Sequence, residues 1–136
     1  MSLLSVRNLH AKIAGQQVIE DISFEVPASG VTAVLGRNGV GKSSTLKALL
    51  GLIERSGEVE LEGVRIDGVQ THRIIRKGIG YVPEEREIFS SLTVAENLRL
   101  AERGGNSNRK MVENLFPDIY SRLGQKAGTL SGGQQQ

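Results

Sequence analysis

The chain has 136 residues, enough for one domain to bury a core without covalent staples. It contains no cysteine, which excludes a disulfide framework and a thiolate metal site, and its 17 basic and 15 acidic residues leave a net charge of only +2, which calls for no polyanion and no nucleic acid. The longest uncharged apolar runs, Val31–Leu35 and Ala48–Ile53, fall far short of the roughly 20 residues of a spanning helix, and the start lacks the basic-then-apolar layout of a signal peptide. The simplest expectation is therefore a cytosolic protein. Glycine is the one unusual component, at 17 of 136 residues where roughly 7% is typical, and it clusters at turns and in two loops.

In chain order, Leu4–Leu9 and Val18–Val26 read as strands; in the second, Ile22, Phe24 and Val26 alternate with Ser23 and Glu25, the pattern of a half-buried antiparallel strand. Pro27-Ala28-Ser29-Gly30 closes it as a turn. Val31–Leu35 is apolar without alternation and predicts a strand buried on both faces. After a Gly-rich loop, Leu46, Leu49, Leu50 and Ile53 fall at helical spacing over Ser43–Leu52, with Ser56-Gly57 ending the helical region. Glu58–Leu61 and Val64–Ile66 are short strands around Glu62-Gly63. Thr71–Lys77 is expected to be helical, and Ile79–Val82 to be another buried strand. Thr93 and Glu96 have capping-box spacing and predict a helix from there to about Glu102. Gly104–Asn108 reads as a linker, and Lys110–Leu115 as a helix broken near Pro117.

Gly36-Arg37-Asn38-Gly39-Val40-Gly41-Lys42-Ser43 matches G-x-x-x-x-G-K-[ST] in full. Glycines let the backbone curl until successive N–H groups point inward at phosphate oxygens. Lys42 supplies a point charge for the β- and γ-phosphates, Ser43 a hydroxyl for Mg²⁺, and the following helix its positive dipole end. This pattern implies a nucleoside triphosphate with Mg²⁺, without saying which nucleotide or machine.

Leu130-Ser131-Gly132-Gly133-Gln134 narrows this. Taken alone, Ser-Gly-Gly-Gln reads as a linker; paired with the upstream loop, the chain resembles the nucleotide-binding subunits of ATP-binding-cassette (ABC) transporters, in which an LSGGQ signature opens a helix facing the nucleotide of the opposite subunit. The resemblance runs through Gly30–Leu35 and through Tyr81-Val82-Pro83-Glu84 at the family's Q-loop. It implies an α/β P-loop NTPase (ABC ATPase) fold: a β-rich subdomain with the Walker A strand–loop–helix over residues 1–84, and the start of a helical subdomain over residues 85–136. It further implies ATP and Mg²⁺ as cofactors. Gly36, Arg37, Asn38, Gly39, Gly41, Lys42, Ser43, Ser44 and Ile13 would contact the nucleotide, Ser43 and Glu84 the metal, and Ser131, Gly132, Gly133 and Gln134 the nucleotide across a head-to-tail dimer with a second ATPase subunit. Transmembrane permease subunits would be the other partners, at the cytoplasmic face of the inner membrane, with Glu85–Leu92 as the contact.

Two positions depart from the family pattern. Glu84 stands where Gln is usual, offering oxygen to a metal but no amide donor, and Ile13 stands where an aromatic residue commonly stacks on adenine. The Glu in the Q-loop, Leu92–Leu98, Leu115-Phe116-Pro117 and Ala127–Leu130 resemble the branched-chain amino acid importer branch, with amide importers similar. A non-transport ABC ATPase and a non-catalytic nucleotide-binding fragment are the alternatives. The family's acidic strand, catalytic Glu and γ-phosphate His have no match up to Gln136, and His10 and His72 read as surface residues. No catalytic residue is therefore assigned in this chain, and binding without useful turnover is expected, together with an apolar sheet edge prone to self-association.

Overall fold

A long antiparallel hairpin opens the chain in the computed structural model, which describes residues 2–102 and 108–136. Strands β1 (Ser2–Ile13) and β2 (Gln16–Pro27) exceed the expected spans at both ends. They are joined at Ala14 and Gly15, both at positive φ (49° and 81°), the turn geometry whose twist matches that of paired strands. Ile22, Phe24 and Val26 alternate with exposed Ser23 and Glu25 as expected. The alternation is interrupted at Asn8 and Asp21, both left-handed, where the β1–β2 register shifts. Their side chains hydrogen-bond each other (Asn8 Nδ2 to Asp21 Oδ1, 2.8 Å). This irregularity resets the phase, so Val6 and Leu9 are both buried.

β1 is central in a sheet of order β2-β1-β3-β4, antiparallel throughout. β3 (Glu54–Leu61) and β4 (Val64–Arg65) flank it. Ser56 and Gly57 lie inside β3 and do not end a helix. Gly57 (φ 107°) sits against the Asn8 backbone so closely that no Cβ fits, which places the glycine where β1 bulges. Helix α1 (Lys42–Leu49) is shorter than expected, and its buried residues are Thr45 and Ala48, while Leu46 is exposed. Helix α2 (Thr71–Arg76) buries Ile74. Val6, Leu9, Ala11, Ile19, Ala48, Leu50, Val59, Leu61, Ile66 and Ile74 are all buried.

Two expected strands are not formed. Val31–Leu35 carries no strand pairing, and Val31 and Leu35 are 97% and 89% exposed. Ile79–Val82 is likewise irregular, with Val82 exposed. A strand exists only through the ladder of a neighbour, and among the described residues none lies beside either segment. Hydropathy identified apolar runs suited to a sheet interior but could not supply the partner.

The chain divides into two units, Met1–Gly80 and Tyr81–Gln136. The second is helical: α3 (Val94–Ala101), α4 (Arg109–Leu115), α5 (Pro117–Tyr120) and α6 (Gly132–Gln135), with a 3-10 turn at Ala127–Thr129. Pro117 takes the first helical position of α5, where its missing N–H costs nothing. Thr93 and Glu96 form the expected reciprocal capping box. Further first-turn donors of α3 are satisfied by carbonyls: Val94 N donates to Gln125 O and Ala95 N to Leu123 O. Asn97 pairs with both backbone groups of Phe89, accepting from its N–H and donating to its carbonyl, each at 3.0 Å. The expected linker, apart from Asn108, lies outside the described residues.

Candidate nucleotide-binding site

Two glycines of the 36–43 loop do specific work. Gly39 (φ 84°) completes a turn in which Val40 N donates to Arg37 O. Gly41 (φ 100°) is the left-handed N-cap of α1. A Cβ there would lie 2.7 Å from Ile19 Cδ1 and 3.1 Å from Val18 O, so β2 runs directly against the loop. Only glycine satisfies both the dihedral angle and the space.

α1 begins at once, and its first-turn N–H groups have no intrahelical partner. No acidic residue occupies that turn. Lys42 Nζ donates to Gly36 O (2.9 Å) and Arg37 O (2.8 Å), holding the ammonium over the loop mouth. Thr45 donates through both its N–H and its hydroxyl to Gly41 O, fixing the cap. Ser43 is exposed beside these donors. A helix N-terminus, an ammonium and glycine N–H groups converge without a carboxylate, and this donor set fits a polyphosphate. Among the described residues, no group of three His, Cys, Asp or Glu could hold a metal. A cation at Ser43 would therefore take phosphate oxygens into its shell, as Mg²⁺ ordinarily does.

Gly36, Arg37, Asn38, Gly39, Gly41, Lys42, Ser43 and Ser44 thus come together in the first unit. Ile13 lies in the same unit, at the end of β1 opposite Gln16, and is exposed. The remaining expected positions belong to the second unit. Ser131 caps α6, its N–H donating to Gln134 Oε1 at 3.1 Å. Gln135 Nε2 donates to Leu130 O. Glu84 is exposed in a bend, and the carbonyl of adjacent Pro83 accepts from Gln136 Nε2 at 3.1 Å. This bond ties the Q-loop segment to the residue following α6.

Two arginines take places that the sequence did not assign them. The Arg86 guanidinium lies where a Cβ on Gly132 would meet it at 2.7 Å, so the signature glycine makes room for it. Arg55, on β3, bonds to carbonyls of α1 and of Ile66. Arg86 falls within the expected contact segment Glu85–Leu92 and Arg55 within none, and the role of each becomes visible only through the groups folded against it.

The family model for ABC transporters matches residues 19–136. The chain is 37% identical over 142 residues to the high-affinity branched-chain amino acid transport ATP-binding protein BraG of Pseudomonas aeruginosa, covering 100% of this chain and 60% of that protein. It is 34% identical to a probable branched-chain amino acid transport ATP-binding protein, LivF, of Archaeoglobus fulgidus (98% and 59% covered). It is 31% identical to the lipopolysaccharide export system ATP-binding protein LptB of Haemophilus influenzae (100% and 60%). A solved ATP-binding subunit of an ABC transporter superimposes with a TM-score of 0.82 at 30% identity, over 98% of this chain and 58% of that one. The chain thus spans about 60% of the length of the relatives it matches. With the phosphate loop, the signature and the α/β fold in agreement, the chain belongs to the ABC transporter family of ATPases.

Proposed function

We propose that the chain is the ATP-binding part of an ABC importer for branched-chain amino acids or related small amides. The observation that carries the nucleotide part is the convergence of Lys42, the glycine loop and the free first turn of α1. Lys42 Nζ would exchange the carbonyls of Gly36 and Arg37 for phosphate oxygens, and Ser43 would hold Mg²⁺ with Glu84 as a second oxygen ligand. Ser131 to Gln134 would meet the nucleotide of a second subunit in a head-to-tail dimer, and Glu85 to Leu92 would contact a permease at the cytoplasmic face of the inner membrane. Among the described residues, no helix is long and apolar enough to cross a membrane, so anchoring through a permease suits the chain. The solute rests on the likeness to BraG and LivF. The likeness to LptB favours a second reading, an ATPase serving lipopolysaccharide export.

Equilibrium titration of the 136-residue chain with MgATP tests the core of this reading. Binding is expected, with K42A weakening it roughly tenfold or more, as loss of charge-assisted hydrogen bonds implies. Binding that K42A leaves unchanged would remove the loop from the site. Phosphate release by the chain alone is expected to stay at background, since no residue in it is assigned to polarise water.

A further inference from the structure

α1 is poorly secured by apolar packing. Its buried residues, Thr45 and Ala48, are both small and Leu46 faces solvent, leaving Leu50 at the C-cap as the one large side chain buried at its end. Yet this helix carries the loop whose N–H groups must aim at phosphate. Its N-terminal end rests on β2 through the close approach of Gly41 to Ile19. Its C-terminal end is held by polar groups as well as by Leu50. Arg55 Nη1 donates to Ala48 O (2.7 Å) and Leu49 O (2.6 Å), and Nη2 donates to Ile66 O (2.6 Å). Thr71 Oγ1 donates to Gly51 O just beyond. The planar fork of one half-buried guanidinium thus joins the last carbonyls of α1 to the segment following β4. Burial lowers the Arg55 pKa, with Asp67 acting the other way, and an arginine still stays charged at neutral pH.

We infer that Arg55 is a positioning residue for nucleotide binding, setting the axis of α1 and hence the aim of the Gly41–Ser44 N–H groups at phosphate. The inference rests on the nucleotide reading of the loop. A direct field from the guanidinium is separable from this role. The eight residues of α1 put it about 12 Å from the loop, where its field would act alike in wild type and R55K, so the charge-keeping variant separates field from geometry. The geometric route is direct: a helix with few buried side chains pivots when one end is released, and N–H groups aimed at an anion lose alignment. Lysine keeps the charge, but its three donors radiate from one nitrogen instead of a planar fork, so it reproduces the three-carbonyl bridge less well.

The test compares wild type, R55K and R55M by MgATP titration below each melting midpoint, with amide NMR shifts of Gly41–Ser44 recorded with and without nucleotide. Folding is checked by circular dichroism. The expected result is affinity reduced by on the order of five- to tenfold in R55M, at the low end of coupling between separated groups, with a smaller loss in R55K. The loop amides of both variants should be displaced in the free protein. Wild type that binds alongside two variants binding equally well overturns the inference and leaves the nucleotide reading intact, even where their melting points fall. Should R55M not fold, R55K decides; if neither folds, Arg55 serves folding and the inference falls. Wild type that fails to bind MgATP ends the nucleotide reading and this inference with it.

Discussion

Asp67 shows how far a single residue's role depends on its neighbours. In the sequence it stands between Ile66 and Gly68 and reads as an ordinary turn acid. In the structure it accepts from Arg65 Nε at 2.7 Å and Nη2 at 3.0 Å, and Arg65 also reaches Glu58 at 2.9 Å. The paired guanidinium, followed by the Val59 N–H, lowers the Asp67 pKa from 3.8 to about 2. A depressed carboxylate contributes stability above its unfolded pKa and loses it as pH falls through the folded value. D67N is therefore expected to be less stable than wild type near neutrality. The gap should close as pH drops from about 4 towards about 2, read as melting midpoints of both proteins across that range. Gly41 makes the same point more severely: the motif required a glycine, but only the fold showed that Ile19 and Val18 fill the space a side chain would need.

At the scale of elements, local chemistry was legible where it is self-contained. The Thr93–Glu96 spacing specified the start of α3, because both halves of a capping box lie within one turn. T93A is expected to cost about 1 kcal/mol, measured by urea unfolding. The cap also lowers the Glu96 pKa through the Thr93 N–H and then the Thr93 hydroxyl. T93A keeps the N–H and removes only the hydroxyl's share, so its deficit should shrink only slightly as acid protonates the carboxylate. A deficit that is the same at neutral and acid pH would separate the cap from that charge. Helix α1 was less legible: the spacing of Leu46, Leu49, Leu50 and Ile53 marked a helical segment but not its buried face, because Thr45 and Ala48 are the residues small enough to let it approach the sheet.

For the whole molecule, the exposed apolar segments matter most. Val31, Val34 and Leu35 follow one another closely and are all exposed. In the second unit, Leu100, Met111, Leu115 and Phe116 are exposed, and Ile88, Val94, Leu98, Leu115, Phe116 and Leu130 line an open groove of about 460 Å³. An unpaired β-prone run of low charge is a template for pairing with another chain. The 136-residue chain is expected to self-associate, with sedimentation profiles that broaden as concentration rises. The double substitution V31K/L35K should shift it towards monomer. A monodisperse wild-type monomer at all concentrations would contradict this.

By itself the sequence determined the family, the phosphate-loop and signature motifs, the strand character of Leu4–Leu9 and Val18–Val26 and the capped start of α3. Each motif is written in residues close together along the chain, and the family in the pairing of two such motifs. Tertiary structure decided the rest: that among the described residues no strand lies beside Val31–Leu35 or Ile79–Val82, that Asn8 and Asp21 bulge together, and that Arg55 clamps α1 while Arg86 lies against Gly132. The physical reason is common to all of them. A ladder, a bulge pair and a guanidinium clamp each need a partner distant in sequence, and neither hydropathy nor spacing names that partner.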